Sequence, residues 1–250
     1  MAHPFKLKNI LITGGSSRFF KFLKFELNMH KIDYPKKKFF NLLNLNQMNR
    51  YVKKKRFTHL IHIAGLSRPM DAHNNNINKS IDLNIIGTAN IVKLCEINNI
   101  KLIYFSTNYV YSGKDGNYKE EDPLNPINNY AWSKLGGECS VHMYKKSLIL
   151  RICMTDFPFI HKKAIQGAYS SFIYNKTVAK IIPYLLEEKG VLNVGGKKRE
   201  IFKFAKNFSN KKILKVSINK IKDFPKDSSI NINKLRFILK KNKLNREIIL

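Results

Sequence analysis

Two residues in this chain have the types and the spacing for proton transfer. Tyr130 and Lys134 stand four positions apart in the stretch Tyr130-Ala-Trp-Ser-Lys134. On a helix that spacing puts both on one face, one turn apart. A lysine ammonium beside a phenol favours the phenolate and lowers its pKa. A phenol normally near ~10 then becomes a usable acid or base near neutral pH. Tyr-x-x-x-Lys is common by chance, so the pair needs a context, and the preceding stretch supplies one. Lys101-Leu-Ile-Tyr-Phe-Ser106 reads as a buried parallel strand that ends in hydroxyl residues. Asn128 or Asn129 can cap the helix that follows.

A second stretch has the chemistry for phosphate. Lys8-Asn-Ile-Leu-Ile-Thr13 is a short apolar run that ends at Gly14-Gly15-Ser16-Ser17. It reads as a strand, a tight glycine turn and then a short helix from Phe20 to Leu27. Such turns let backbone N–H groups at a helix start approach a pyrophosphate. Lys31-Ile-Asp-Tyr reads as a second strand with Asp33 near its end. An acid about 20 positions after the glycine turn suits the adenosine ribose of NAD. Lys36-Lys37-Lys38 follow at once and suit the 2′-phosphate of NADP equally well. The residues leave that choice open.

These stretches need elements to position them. Met48 to Lys55 reads as a basic helix, and His59-Leu-Ile-His-Ile-Ala-Gly65 as a buried strand closing on small residues. His62 within it reads as structural. Asn74 to Asn78 reads as a loop or frayed helix start. Ser80 to Asn98 has helical apolar spacing, with Gly87 costing ~1 kcal/mol against alanine unless close packing requires it. Lys114 to Pro123 is a polar loop whose acids, Asp115, Glu120, Glu121 and Asp122, read as solvated. Ser147 to Cys153 reads as a further strand. Alternating strands and helices argue right-handed parallel βαβ units, and no internal repeat stands out.

The motifs together resemble a known family. Ser106-Thr107-Asn108-Tyr109-Val110-Tyr111-Ser112-Gly113, then Pro126-x-x-x-Tyr130-x-x-Ser133-Lys134-Leu135-x-Gly137-Glu138, looks like the catalytic half of an extended short-chain dehydrogenase/reductase. The dTDP-4-dehydrorhamnose reductase-like subgroup is the nearest in pattern. The resemblance runs over roughly residues 8 to 236. It includes Asn84-x-x-Gly87, Arg151, the strand and turn from Gly190 to Gly196, the Phe202–Phe208 helix and the segment from Pro225 to Leu235.

The resemblance implies an α/β fold, a Rossmann-type doubly wound parallel sheet with a small C-terminal substrate lobe. Residues 1–153 would form the NAD(P)-binding domain. Residues 154–250 would form a short substrate-binding lobe, interleaved with the first. The implied cofactor is NADP or NAD, held by Thr13, Gly14, Gly15, Ser16, Ser17, Arg18, Asp33, Lys36, Asn41, Ala64 and Gly65 together with Tyr130 and Lys134. The implied catalytic set is Thr107, Tyr130 and Lys134, with Tyr130 as proton donor. No metal is implied. The family turn is Thr-Gly-x-x-Gly-x-x-Gly, and here Ser17 and Phe20 stand where its second and third glycines belong. A benzyl group at the third position must displace the helix or rotate away, and Arg18 offers a compensating phosphate ligand.

The implied activity is reduction of a nucleotide-linked 4-keto-6-deoxy sugar. A nucleotide-sugar epimerase is the first alternative. Dehydratases of this superfamily place an acidic pair after the catalytic threonine, where Asn108 and Tyr109 stand here. A catalytically silent NAD(P)- or sugar-nucleotide-binding module is the second, motivated by the altered glycine turn and the short C-terminal lobe.

Composition bounds these readings. The chain has 250 residues, 44% of them hydrophobic, enough for one α/β domain with an appended lobe. It has no run of eighteen apolar residues and no signal-peptide pattern, so no membrane association is expected. Cys95, Cys139 and Cys153 are odd in number and far apart, which suits reduced thiols in a cytoplasm. The net charge of +29 is spread along the chain with no nucleic-acid-binding motif. It reads as a compositional bias towards lysine, with a benefit for phosphate-bearing ligands, and no nucleic-acid partner is expected. Family members often pair through helices flanking the sheet, so a homodimer is one expectation.

Overall fold

The computed structural model describes residues 6–221, 224–242 and 244. Of the N-terminal lead into the first strand, residues 1–5 lie outside the described residues. Of the basic end from Lys240 to Leu250, residue 243 and residues 245–250 also lie outside the described residues. The chain divides into two compact units. The first comprises residues 1–105, 136–149 and 185–190, and the second residues 106–135, 150–184 and 191–250.

The first unit opens with β1 (Asn9–Thr13), α1 (Arg18–Glu26), β2 (Lys31–Asp33), α2 (Leu45–Lys53) and β3 (His59–His62). Two single turns follow, α3 (Ala72–Asn75) and α4 (Ile77–Ser80), then a π-helical turn over Ile81–Ile86 and α5 (Gly87–Ile97). The asparagine-rich stretch, read as a loop or frayed helix start, is two single helical turns broken at Asn76, which caps α4 by accepting a hydrogen bond from the Lys79 N–H. Likewise α1 begins two residues earlier than its apolar spacing suggests, because Ser17 caps it through the Phe20 N–H.

The long strand β4 (Lys101–Thr107) starts in the first unit and ends in the second. β1 pairs in parallel with β2 and β3, and β3 with β4, in the registers Ile10↔Ile32, Ile10↔His59 and His59↔Lys101. Ile10, Leu11, Ile12, Leu60, Ile61, Leu102 and Ile103 are fully buried. A strand covered on both faces has no polar side to show, so these strands read as unbroken apolar runs.

α6 (Asn129–His142), β5 (Ser147–Ile152), α7 (Asn175–Leu185) and β10 (Gly190–Val194) also run from one unit into the other. Between and after them lie β6 (Met154–Thr155), β7 (Lys163–Gln166), β8 (Tyr169–Ser170), β9 (Ile173–Tyr174), β11 (Arg199–Glu200), α8 (Ile201–Asn207), β12 (Leu214–Ser217) and α9 (Asn233–Lys241). The main sheet has six strands in the order β10-β5-β4-β3-β1-β2. The order reverses at β1 and β3, the switch point where doubly wound sheets bind ligands beyond their strand ends.

In the second unit, three two-stranded ribbons pair β6 with β9, β7 with β12, and β8 with β11. Their core is Phe159, Ala164, Ala168, Ile201, Phe204 and Ala205, with Phe172 and Phe208 rings 5.3 and 5.0 Å from that of Phe204. No helix among the described residues is long and apolar enough to cross a membrane. No group of three or more metal-ligating side chains occurs among them.

Candidate active site

The glycine turn lies in the first unit, at the switch point. Gly14 has φ +80°, and a Cβ there would sit 2.8 Å from the Ala64 backbone nitrogen. Only glycine satisfies both the backbone angle and the contact. The Thr13 hydroxyl, 2.7 Å from His62 Nδ1, also accepts the Ala64 N–H at 3.3 Å. His62 Nε2 pairs with the Thr88 hydroxyl at 3.2 Å, and the ring is fully buried. His62 is thus the structural histidine expected from sequence. Thr13 shapes the turn from inside, its side chain already hydrogen-bonded within the fold.

Phe20, at the position of the third glycine, is 5% exposed and packs on Tyr34 with ring centroids 4.6 Å apart. The benzyl group is absorbed by the residue directly after Asp33. Ser16 and Arg18 are exposed, and α1 has no acid in its first turn. A helix start free of acids, carrying two serines and an arginine, fits an anionic, phosphate-bearing group.

Asp33 ends β2, and its Oδ2 accepts two hydrogen bonds, from the Tyr51 hydroxyl at 2.8 Å and from Lys55 Nζ at 2.5 Å. Nothing in sequence signalled these partners, because they come from α2 and the turn after it. Lys36, Lys37 and Lys38 are exposed in the turn beyond β2. Asn41 uses its side-chain oxygen locally, accepting the Leu43 N–H at 3.2 Å.

Ala64 and Gly65 follow β3 as an irregular segment held by Asn84. That side chain donates to the Leu66 carbonyl at 2.8 Å and accepts the Leu66 N–H at 2.7 Å. A Cβ on Gly65 would meet the same Asn84 oxygen at 2.8 Å. Asn84 lies on the π-helical turn and is 1% exposed. A Cβ on Gly137 would lie 2.4 Å from its backbone oxygen. The second half of α6 therefore crosses this turn at backbone contact.

The first half of α6 lies in the second unit and carries Tyr130 and Lys134. Asn128 accepts the Ala131 N–H at 2.9 Å and caps it, and the Ser133 hydroxyl donates to the Tyr130 carbonyl at 2.8 Å. Tyr130 is half-buried and Lys134 is 8% exposed. Being helical, the four-residue spacing sets them on one face. Thr107 is the last residue of β4 and 5% exposed, and its hydroxyl accepts the Tyr109 N–H at 3.3 Å. That bond starts the 3-10 turn Asn108–Val110, and Asn108 donates to the Ser228 carbonyl at 2.9 Å.

The loop that follows is tied down by a buried polar network. The Arg151 guanidinium donates to the Tyr111 hydroxyl at 2.8 Å and to the Glu120 carbonyl at 2.9 Å. Tyr111 donates to Asn193 at 2.9 Å and stacks on Tyr118 at 4.8 Å, 5° from parallel. Burial pushes the Tyr111 phenol up to about 12, so it stays a donor. The Glu120 carboxylate accepts the Asn193 N–H at 2.9 Å. This corrects the reading of Glu120 as merely solvated. Gly113 and Gly116 have φ +69° and +73°, and a Cβ on either would collide with Pro225 or Asp227. The Pro225–Ile230 stretch thus packs directly on this loop.

The fold defines the class: a Rossmann-type α/β protein, doubly wound about a parallel sheet. Residues 8–155 match the RmlD substrate binding domain, and with more than half its length in that match the chain belongs to this family. The structure is similar to dTDP-4-dehydrorhamnose reductase from Bacillus anthracis in complex with NADP, with TM-score 0.82 and 24% identity over 96% of this chain and 94% of that one. A hypothetical dTDP-4-dehydrorhamnose reductase from Sulfolobus tokodaii gives TM-score 0.81 and 24% identity over 96% and 98%. At that identity these structures share the fold. Among curated relatives, methionine adenosyltransferase 2 subunit beta from Bos taurus is 34% identical over 107 residues, 43% of this chain. That match spans about a third, 32%, of the relative's own length.

Proposed function

We propose that this chain is an NAD(P)H-dependent reductase of a nucleotide-linked 4-keto-6-deoxy sugar. The observation that carries the reading is Lys134, brought to 8% exposure on α6 one turn after Tyr130. Lysines are rarely buried without a charge to stabilise, and a phenolate that forms and disappears during turnover is such a charge. When bound, the nicotinamide cofactor supplies a hydride. Tyr130 gives a proton to the substrate carbonyl oxygen, and the positive charge of Lys134 stabilises the phenolate left behind. Thr107 hydrogen-bonds the same oxygen and orients it. Lys134 would also hold the ribose next to the nicotinamide. The glycine turn, Ser16, Ser17 and Arg18 hold the pyrophosphate. The three free cysteines suit work in a reducing cytoplasm.

The test is a titration with NADPH and NADH followed by fluorescence, then turnover of dTDP-linked 4-keto-6-deoxyhexose read by nicotinamide absorbance. Wild type should bind and reduce. Tyr130→Phe keeps the ring and its packing, so it should bind cofactor normally and lose turnover by about 10²–10⁴. A Tyr130→Phe variant that turns over at the wild-type rate would refute the mechanism. A second reading, the silent binding module, is favoured by the likeness to a chain named as a subunit of a different enzyme. Cofactor binding without turnover of any nucleotide-linked keto sugar would decide for it.

A further inference from the structure

We infer that Lys55, together with Tyr51, sets the cofactor preference of this chain towards the 2′-phosphorylated dinucleotide. The inference rests on the reading above to the extent that the end of β2 holds the adenosine ribose.

An unpartnered carboxylate at that place favours NAD for two reasons. It accepts hydrogen bonds from the ribose hydroxyls, and its charge repels a 2′-phosphate. Asp33 is not unpartnered. Lys55 Nζ lies 2.5 Å from its Oδ2 and 3.0 Å from the Tyr51 hydroxyl, and the Tyr51 hydroxyl lies 2.8 Å from the same Oδ2. Lys55 also sits over the Tyr51 ring, 4.6 Å from its centroid. The three groups form a closed triangle with the ammonium as its cationic corner.

Two consequences follow. The carboxylate charge is compensated on the spot, so a phosphate approaching the ribose position no longer meets a net negative charge. In addition, one of the two carboxylate oxygens, Oδ2, already accepts two hydrogen bonds and has less capacity left for a ribose hydroxyl. The Lys55 side chain remains 46% exposed, so its ammonium also faces solvent and any incoming anion. Lys36, Lys37 and Lys38 are exposed in the next turn, and Lys24 donates to the Tyr34 hydroxyl at 2.9 Å. These lysines at or just beyond the strand end are all cations. Protonation states agree with the geometry. The bond to Asp33 holds the Lys55 ammonium above the usual lysine range, and burial holds the Tyr51 phenol above its own. Lysine supplies the charge and tyrosine orients it.

The test is equilibrium binding of NADPH and NADH to the full chain, by nicotinamide fluorescence and calorimetry, with circular dichroism to confirm folding. Wild type should bind NADPH roughly tenfold tighter than NADH, the effect of a few screened unit charges. Lys55→Met should cut that ratio by about threefold or more, weakening NADPH while tightening NADH as Asp33 is released. Lys55→Arg keeps the charge and should keep the ratio. Tyr51→Phe should move it less and in the same direction. A wild-type preference for NADH, or a Lys55→Met variant that weakens both cofactors equally, would overturn the inference and leave the reductase reading intact. Failure of wild type to bind either dinucleotide would overturn both.

Discussion

At the scale of single residues, Lys134 joins charge to burial. It is 8% exposed, whereas most of the described lysines and arginines sit in solvent. If its charge both stabilises the Tyr130 phenolate and holds the cofactor ribose, Lys134→Met should do two things that Tyr130→Phe does not. It should weaken cofactor binding, and it should move the remaining activity to higher pH, because the phenol loses a neighbouring positive charge. Titrations and pH–rate profiles of both variants check this. An unchanged profile in Lys134→Met would leave the lysine a structural role only. Phe20 shows how a departure from a motif is tolerated at this scale. A ring where the family has glycine is accommodated because Tyr34 offers a second ring to pack against, at 4.6 Å.

At the scale of elements, the second half of α6 crosses the π-helical turn at backbone contact. A Cβ on Gly137 would lie 2.4 Å from the Asn84 carbonyl oxygen and 2.9 Å from the Tyr104 hydroxyl. The first is backbone and the tyrosine ring is fully buried, so Gly137→Ala must push α6 outward. Overpacking of this kind costs about 1–3 kcal/mol or more. At roughly 2–4 °C per kcal/mol for a chain of this size, the melting temperature should fall by about 2–12 °C. Activity should fall further than stability explains, since the helix carrying the acid has moved. Gly190→Ala is the control. Gly190 has φ +79° but nothing within 4 Å of its would-be Cβ, so it should cost only local strain. Equal melting temperatures for the two variants would refute this account of the crossing.

At the scale of the molecule, the opposite end of the sheet carries a cluster with a pH signature. His59 begins β3 and Lys101 begins β4, both buried, with Lys8 and Glu187 beside them. Burial, reinforced by the charge of Lys8, lowers the His59 pKa from 6.5 to about 4. Burial likewise lowers Lys101 from 10.5 to about 8. The folded state keeps His59 neutral, while the unfolded state takes up its proton between those values. Stability should therefore be lost as pH falls from about 6.5 through 4, by at most about 3 kcal/mol from this group. Lys101 has the same sign in its own window, with stability rising as pH goes from about 8 to 10.5. The +29 net charge adds self-repulsion in acid for every variant. Urea midpoints of wild type and His59→Gln at pH 7 and 4.5 isolate the histidine. The wild type should lose more on acidification, and parallel loss in the two would show that His59 is not the group responsible.

Sequence by itself determined what local periodicity and residue chemistry can carry. The apolar runs of β1, β3 and β4 identify buried parallel strands because neither face may show polar groups. The four-residue spacing of Tyr130 and Lys134 fixes a shared face once α6 is a helix, and His62, the last residue of β3, is buried and hydrogen-bonded as a structural histidine should be. The NAD-versus-NADP choice stayed open in sequence, since Asp33 and the Lys36–Lys38 triplet point in opposite directions. Tertiary structure brings Lys55 and Tyr51 to Asp33 from 22 and 18 residues away. It also brings Phe20 to Tyr34, Asn84 to Leu66, and Glu120 to Asn193. The physical reason is one of range. A strand or a helical face is set by neighbours a few residues apart, whereas the charge a carboxylate shows to a ligand depends on whichever side chains the fold packs against it.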